Sequence, residues 1–586
     1  MNQLEEKEDL VVQVNNKMEQ QIKEQIIGAL KNLGIEAESV LLEHPADVKM
    51  GDYSTNVAMA YAKKVGKNPK VLAEEIVSIL RQAQDEFQVA EIQVAGPGFI
   101  NFYLSRDFFI EATKEILDKK EKWGSNELLV GKKVMVEYTQ PNPFKPFHIG
   151  HLMSNAIGES ISRIVEFSGA KIIRANYQGD VGLHVAKAIY GLQKFGMPDD
   201  TLSVSEQAQY IGECYSKASD VYENDEQAKE AINIINKKVY DRTDEEINKI
   251  YDWGRAVTLE AFEGIYKLLG TKFNHYFFES EMAPIGEKIV RANVPNVFEE
   301  SDGAIVFKAE KYNPKLHTRV FITSGGIPLY ETKEIGLTMT KFEKENPDIS
   351  IVTTAIEQGE YMKVVQQAIA LMHPELESRM KHITHGMMRL ASGKMSSRKG
   401  NVVTGESLLN DSMAVVSEKV AERDLSNEEK EIISKIVGVA ALKYSILRSS
   451  LGSDIIYDFE KSISFEGDSG PYLQYTAVRA QSILNKAKDA GFTPDISNAP
   501  EEVPLLENML YKFPEAVLRA YSELEPHHIA TYLTELASAF NSFYGNTMII
   551  NKDDAHTPYR LALVSAFHIT MTNGLHLLGI KTPEKM

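Results

Sequence analysis

"KKVMVEYTQPNPFKPFHIGHLMSNAIGESISRIVEFSGAKIIRANYQG", residues 132–179, decides the fold. Apolar and β-branched residues dominate its first nine positions, the pattern of a strand. Pro141, Pro143 and Pro146 end that strand. From Ile149 the apolar residues recur at helical spacing, with Gly169 near the close of the helix. "KIIRANYQG" then begins a second strand. Strand, helix and strand in this length make a βαβ unit, which implies a parallel sheet. Ligands of open parallel sheets bind where a strand gives way to a helix. His148, Gly150 and His151 stand at that place.

Two histidines three apart at a helix start share one side. They could bind a metal, cap or fill a core, or hold a phosphate. Zinc hydrolase patterns set a glutamate beside the histidines, and none stands there. The phosphate reading fits better. A helix N-terminus carries free N–H groups and partial positive charge, Gly150 lets a nucleotide approach the backbone, and imidazole N–H groups donate to phosphoryl oxygens. A second cluster lies far downstream in "ASGKMSSRKGNVVT", residues 391–404. Lys394, Arg398 and Lys399 sit there among Gly, Ser and Met, a composition suited to a phosphate clamp or to a solvated charged turn.

Working outward, 586 residues are too many for one core, and two to four domains are expected. The chain is 43% hydrophobic and 25% charged, in the globular range, without an 18-residue apolar run or a secretory pattern at its start. A single cysteine, Cys214, excludes an internal disulfide and multi-cysteine zinc, and a cytoplasmic location is expected. The net charge of −19 argues against blanket nucleic-acid affinity but allows a local basic stripe.

Residues 1–115 read as an α+β domain, with "VAGPGFINFYLS" (94–105) as paired strands about a Gly-Pro-Gly turn. Residues 116–466 read as a Rossmann-type parallel-sheet domain, with a charged helical insertion at about 185–300 and further helices at about 404–466. Residues 467–586 read as all-α. The expected fold class is thus multidomain α/β with an N-terminal α+β domain and a C-terminal helical domain.

H-x-G-H opening the first βαβ crossover, with "KMSSR" about 250 residues later, resembles the class I aminoacyl-tRNA synthetases. Ser397 stands where the second motif usually has a lysine, which leaves one charge to be supplied by Arg398, Lys399 or Lys145. The resemblance narrows to the arginyl-tRNA synthetases through "VEYTQPNPFKPFHIGH", "SGPYLQYTAVRAQSIL", "VAGPGFINFYLS" and the closing "TPEKM", and covers nearly the whole chain. In that family a lysine ahead of the first signature is held to compensate for the missing one, and the match falls on Lys145.

The resemblance implies a ligase that joins L-arginine to tRNA(Arg) through an arginyl-adenylate, with ATP as substrate, Mg²⁺ assisting, no protein-ligated metal, and a monomeric chain. It implies that Lys145, His148, His151 and Lys394 are catalytic, and that Gly150, Met388, Met395, Ser396 and Arg398 join them around ATP. Glu137 and Asn142 would meet the α-amino end of arginine; Tyr330, Glu334 and Gln358 would line its side-chain end. An arginine pocket needs acceptors for the guanidinium, ideally a carboxylate held bidentately, and Glu137 and Glu334 each stand near an expected strand–helix junction. The family more often has Asp there, and "VGLH" (181–184) departs from its usual Trp-Gly-Thr-Gln.

Residues 461–586 hold 10 Lys/Arg against 14 Asp/Glu, so aromatic stacking rather than charge would hold RNA there. Tyr472, Tyr475 and Arg479 recur along one helix face, and the resemblance adds Tyr544 and Met586. Phe99 and Asn101 are the expected tRNA contacts of the N-terminal domain. Rival readings are another class I ligase, a small nucleotidyltransferase, and a non-catalytic RNA-binding relative. The single cysteine, the long helical tail and the intact His148, Gly150, His151 and Lys394 count against them in turn.

Overall fold

The computed structural model describes residues 17–37, 39–82, 88–391 and 404–586. The described chain divides into two compact units. One takes residues up to Leu128 with Leu473–His576 and Glu584–Met586; the other takes Leu129–Tyr472 with Leu577–Pro583.

In the first unit β1 (Tyr53–Thr55), β2 (Val89–Ala95) and β3 (Phe99–Leu104) form an antiparallel sheet in the order β1–β3–β2. Helices Lys17–Asn32, Val57–Val65 and Pro69–Leu80 bury their apolar faces against it. The C-terminal helices of this unit include Gly470–Asp489 (from Leu473 on), Leu505–Leu510, Phe513–Glu523, His527–Asn546 and Thr557–Leu577 (to His576). Residues of the N- and C-terminal domains meet within this unit. Tyr511 packs into the N-terminal apolar cluster, Arg106 Nη1 meets Glu507 Oε1 at 2.7 Å, and the Tyr53 hydroxyl donates to Glu515 at 2.9 Å.

The second unit is built on β4 (Lys133–Glu137), β5 (Lys171–Gln178) and β6 (His275–Phe278). A side sheet of β7 (Glu299–Ser301), β8 (Ala304–Phe307) and β9 (Arg319–Ile322) follows, then β10 (Ile349–Ala355), β11 (Met380–His385), β12 (Met388–Leu390) and β13 (Ile455–Tyr457). The central sheet runs β11–β10–β4–β5–β6 and all its pairings are parallel, as the βαβ reading requires. The side sheet is antiparallel.

One expectation changes. The helical insertion does not extend to about 300: its last helix, Glu245–Leu269, is followed by β6, which pairs with β5 and closes the central sheet. Four residues of strand after a long helical run carry too little periodicity to be read. The "RVFI" strand β9 belongs to the side sheet.

The helix Ile149–Phe167 crosses behind the strands with nearly every residue from His151 to Val165 buried. Small residues allow this. A Cβ on Gly158 would lie 2.2 Å from the Tyr138 ring, so only glycine lets the helix sit on that tyrosine. Ser154 Oγ accepts from Thr139 N at 2.9 Å, and Asn155 Nδ2 donates to Thr139 Oγ1 at 3.0 Å, which ties the helix to the loop after β4.

Candidate active site

His148 is the N-cap of the helix Ile149–Phe167, and the two histidines cap each other. The His151 backbone N–H donates to His148 Nδ1 at 3.3 Å, and the His148 N–H donates to His151 Nδ1 at 3.2 Å. The rings stack with centroids 3.4 Å apart. This is a capping box with histidine in place of Ser and Glu. The capping and phosphate readings therefore do not compete. Each Nδ1 is an acceptor, so each neutral ring carries its proton on Nε2 and offers it as a donor. Both rings are neutral. Burial first, then the Lys145 charge, pushes His148 down to about 4, although one edge of the residue remains exposed. His151 is held well below the ordinary histidine range by burial, then by His148 and Lys145.

Lys145 lies in the loop before the helix, with Nζ 5.4 Å from the centre of the Tyr215 ring on the insertion. Lys394, Met395, Ser396 and Arg398 lie outside the described residues, as does Lys399. The chain on both sides of them is placed. Ala391 N donates to Tyr457 O at 3.0 Å; Gly405 N donates to Phe147 O at 2.8 Å, and Thr404 bridges to His148. The described chain thus resumes, at Thr404, beside the first signature. Met388 begins β12 and is half-buried.

The C-terminal edge of the same sheet carries buried acids. Glu137, the last residue of β4, pairs through Oε2 with Lys341 Nζ at 2.7 Å, with side chains only 1% and 2% exposed; Gln140 Nε2 donates to its Oε1 at 2.8 Å. Glu279, which follows β6, pairs with Lys333 Nζ at 2.7 Å. Asn142 Oδ1 accepts from Gly179 N at 2.9 Å; a Cβ on Gly179 would meet that oxygen at 2.9 Å and Glu279 Oε1 at 3.1 Å, so Asn142 and Glu279 converge on one point. Asp180 is buried and held by Arg255, Tyr251 and Ser280.

Glu334 differs from these acids. It is 8% exposed on the helix Tyr330–Glu345 and has no ion pair among the described residues. Burial, then the Glu137 charge, pushes it up to about 8, against the pull of Lys341 and a hydrogen bond from Tyr361. It is an acid without its cation. Gln358 lies exposed in the turn after β10, at the same edge of the sheet. Tyr330 is 64% exposed at the helix start, with Lys333 Nζ 5.2 Å from its ring centre.

Sequence reasoning missed Glu279, Lys333 and Lys341. Glu279 could have been found by the rule that located Glu137, since both stand at the C-terminal ends of parallel strands. It also missed His184, whose Nε2 donates to Gly179 O at 2.9 Å and which burial and Lys145 push down to about 3.

In the first unit, Arg479 lies between two tyrosines, 4.8 Å from the Tyr475 ring and 5.2 Å from the Tyr544 ring, and donates to Asn541 Oδ1 at 2.6 Å. Tyr472 lies three residues before Tyr475 on the same helix, and Met586 is half-buried. Phe99 is exposed at the β2–β3 turn. Asn101 is buried, with Oδ1 taken by Ser54 Oγ at 2.7 Å, so it orders the sheet beneath that turn.

Three family models match in order. "Arginyl tRNA synthetase N terminal domain" covers residues 18–104, "tRNA synthetases class I (R), catalytic domain" covers 112–459, and "DALR anticodon binding domain" covers 473–586. The arginine–tRNA ligase of Halothermothrix orenii is 32% identical over 95% of this chain and 97% of its own. That of Lactobacillus johnsonii is 32% identical over 94% and 96%. The solved Thermus thermophilus arginyl-tRNA synthetase superposes with a TM-score of 0.79 at 26% identity, covering 96% of this chain and 99% of that one. Matched from the N-terminal domain through the class I centre to the anticodon-binding helices, the chain belongs to the arginyl-tRNA synthetase family.

Proposed function

We propose the following division of labour in a chain that joins L-arginine to tRNA(Arg) using ATP. Arginine enters with its guanidinium on Glu334, beside Tyr330 and Gln358, and its α-amino end near Glu137 and Asn142. Its carboxylate attacks the α-phosphorus of ATP and pyrophosphate leaves; no protein nucleophile takes part. His148 and His151 donate their Nε2–H groups to the phosphates as negative charge shifts towards the leaving group. Gly150 leaves room for the nucleotide, and Met388 borders the adenine. Lys145 and Lys394 steady the pyrophosphate, with Met395, Ser396 and Arg398 closing over it. Magnesium arrives with the ATP phosphates. Among the described residues no group of three or more His, Cys, Asp or Glu is placed to hold a metal.

The 2′-hydroxyl of the terminal tRNA ribose then attacks the adenylate carbonyl, which yields arginyl-tRNA and AMP. Tyr472, Tyr475, Arg479, Tyr544 and Met586 would meet the anticodon; Phe99, supported by Asn101, would meet the tRNA body. We place the enzyme in the cytoplasm as a monomer. No described helix is long and apolar enough to cross a membrane.

The observation that carries this reading is the pairing of two neutral histidine donors with one uncompensated buried carboxyl at the edge of one parallel sheet. The test is ATP–pyrophosphate exchange with each amino acid, with and without tRNA. Exchange with arginine alone, dependent on tRNA, is expected. Exchange with another amino acid removes Glu334 from the guanidinium, and no exchange with retained RNA binding makes the chain a non-catalytic relative.

A further inference from the structure

Tyr177 is the penultimate residue of β5. Its ring packs with Met135, Phe277, Met282 and Leu337, on the sheet face covered by the helix Tyr330–Glu345. The residue is buried, and its hydroxyl has no hydrogen-bond partner among the described residues. Buried hydroxyls are normally bonded, so an orphan needs a reason. The surroundings supply one. After burial, Glu279, Glu334 and Glu137 are the strongest influences on this phenol, and all three hold it protonated. Lys341 and Gln140 occupy Glu137, and Lys333 occupies Glu279 Oε2. Of these three acids Glu334 alone has no cation among the described residues, and it stands one turn before Leu337, which packs in the same cluster as the Tyr177 ring.

A guanidinium has five N–H donors in a plane and no acceptor. A bidentate carboxylate takes two of them and leaves three to satisfy. A phenol can accept one of these while its own proton turns to a carboxylate. We propose that Tyr177 is a further contact of the arginine substrate, its hydroxyl oxygen accepting an N–H of the guanidinium held by Glu334. The hydroxyl, which has no partner among the described residues, gains one when substrate binds, which favours the bound state. This rests on the placement of the guanidinium at Glu334.

The test is Tyr177→Phe, which removes one oxygen and keeps the ring, measured with Glu334→Gln alongside. Arginine KM and kcat are read from tRNA-dependent ATP–pyrophosphate exchange, and Tm from calorimetry. Loss of one hydrogen bond to a charged ligand raises arginine KM roughly 10-fold, with kcat within about 2-fold and ATP KM unchanged. Tm stays level or rises, because the oxygen removed had no partner in the free protein. An unchanged arginine KM overturns the proposal. So does a lowered Tm, which means the hydroxyl is bonded without substrate. If Glu334→Gln raises KM and Tyr177→Phe does not, only this inference fails; if neither raises it, the placement at Glu334 fails as well.

Discussion

The two ends of the active site meet the same physical problem with opposite groups. At the phosphate end burial pushes bases down: His148 to about 4, and His151 well below its ordinary range. At the arginine end burial pushes an acid up, Glu334 to about 8. At both walls burial thus favours the neutral form of these groups. They differ in what a ligand does to them. The histidines already have the tautomer they need and remain neutral. Glu334 must lose a proton to hold a guanidinium. The phosphate wall is built in its working state, whereas the arginine wall is completed by its substrate.

The sharpest way to break this contrast is to strand another acid. Lys341→Met leaves Glu137 buried without its cation, and breaking such a pair costs about 3–5 kcal/mol of stability. Chemical denaturation should show that loss, with partial recovery in the double variant Lys341→Met/Glu137→Gln. A cost under about 1 kcal/mol would mean that the internal lysine does not compensate Glu137.

His148→Asn tests whether the histidine is more than a cap. Asparagine is a good N-cap, so stability should move by no more than about 1 kcal/mol. It lacks the Nε2–H donor, so kcat for adenylate formation should fall about 10²–10³-fold, as when a preorganised donor is removed. A lost cap with intact kcat would leave only the structural role.

Glu334→Gln keeps the shape and removes the charge. Arginine KM should rise about 10²-fold, the scale for a truncated buried charge contact. The pH dependence sharpens the point. In the free enzyme Glu334 titrates near 8, and a bound guanidinium lowers that value. Below pH 8 binding must strip a proton, so arginine affinity rises with pH, by up to about tenfold per unit, and levels off above 8. Arginine kcat/KM measured from pH 6 to 9 should show this rise in the parent and not in Glu334→Gln. His148 and His151 contribute no inflection there, since both are neutral throughout.

The phosphate end was legible in the sequence because its residue types, spacing and position at a strand–helix junction agree. Its capping box was not, since histidine is an unusual cap and only the placed rings show which nitrogen accepts. The arginine end was half legible. Glu137 and Glu334 follow from strand ends and from the need for a carboxylate. Lys333 and Lys341 were hidden because a helix rich in Glu, Lys and Thr reads as solvated, yet Glu331–Leu337, Lys341 and Phe342 are buried. Local pattern cannot report a charge whose partner lies 54 or 204 residues away. The contacts between the chain's two ends were hidden for the same reason: Arg106 and Glu507 are 401 residues apart.

Arg479 extends the contrast to a surface built of a cation and aromatic rings. It is only half-buried, and its guanidinium lies between Tyr475 and an exposed Tyr544. Aromatic faces and a cation can act there together, but they respond to different tests. Tyr544→Leu removes one stacking face and leaves the charge. It should raise tRNA KM roughly 10-fold, within the range for one lost base–aromatic stack, and leave the salt dependence of binding as it was. Arg479→Gln removes the charge, so its loss in affinity should come with a shallower salt slope, by about 0.7 for one single-stranded phosphate contact. Arginine KM at saturating tRNA should be unchanged in both. If Tyr544→Leu alters the salt slope and not the KM, the tyrosine serves only to position Arg479, and this surface reads RNA by charge in spite of the acidic helices around it.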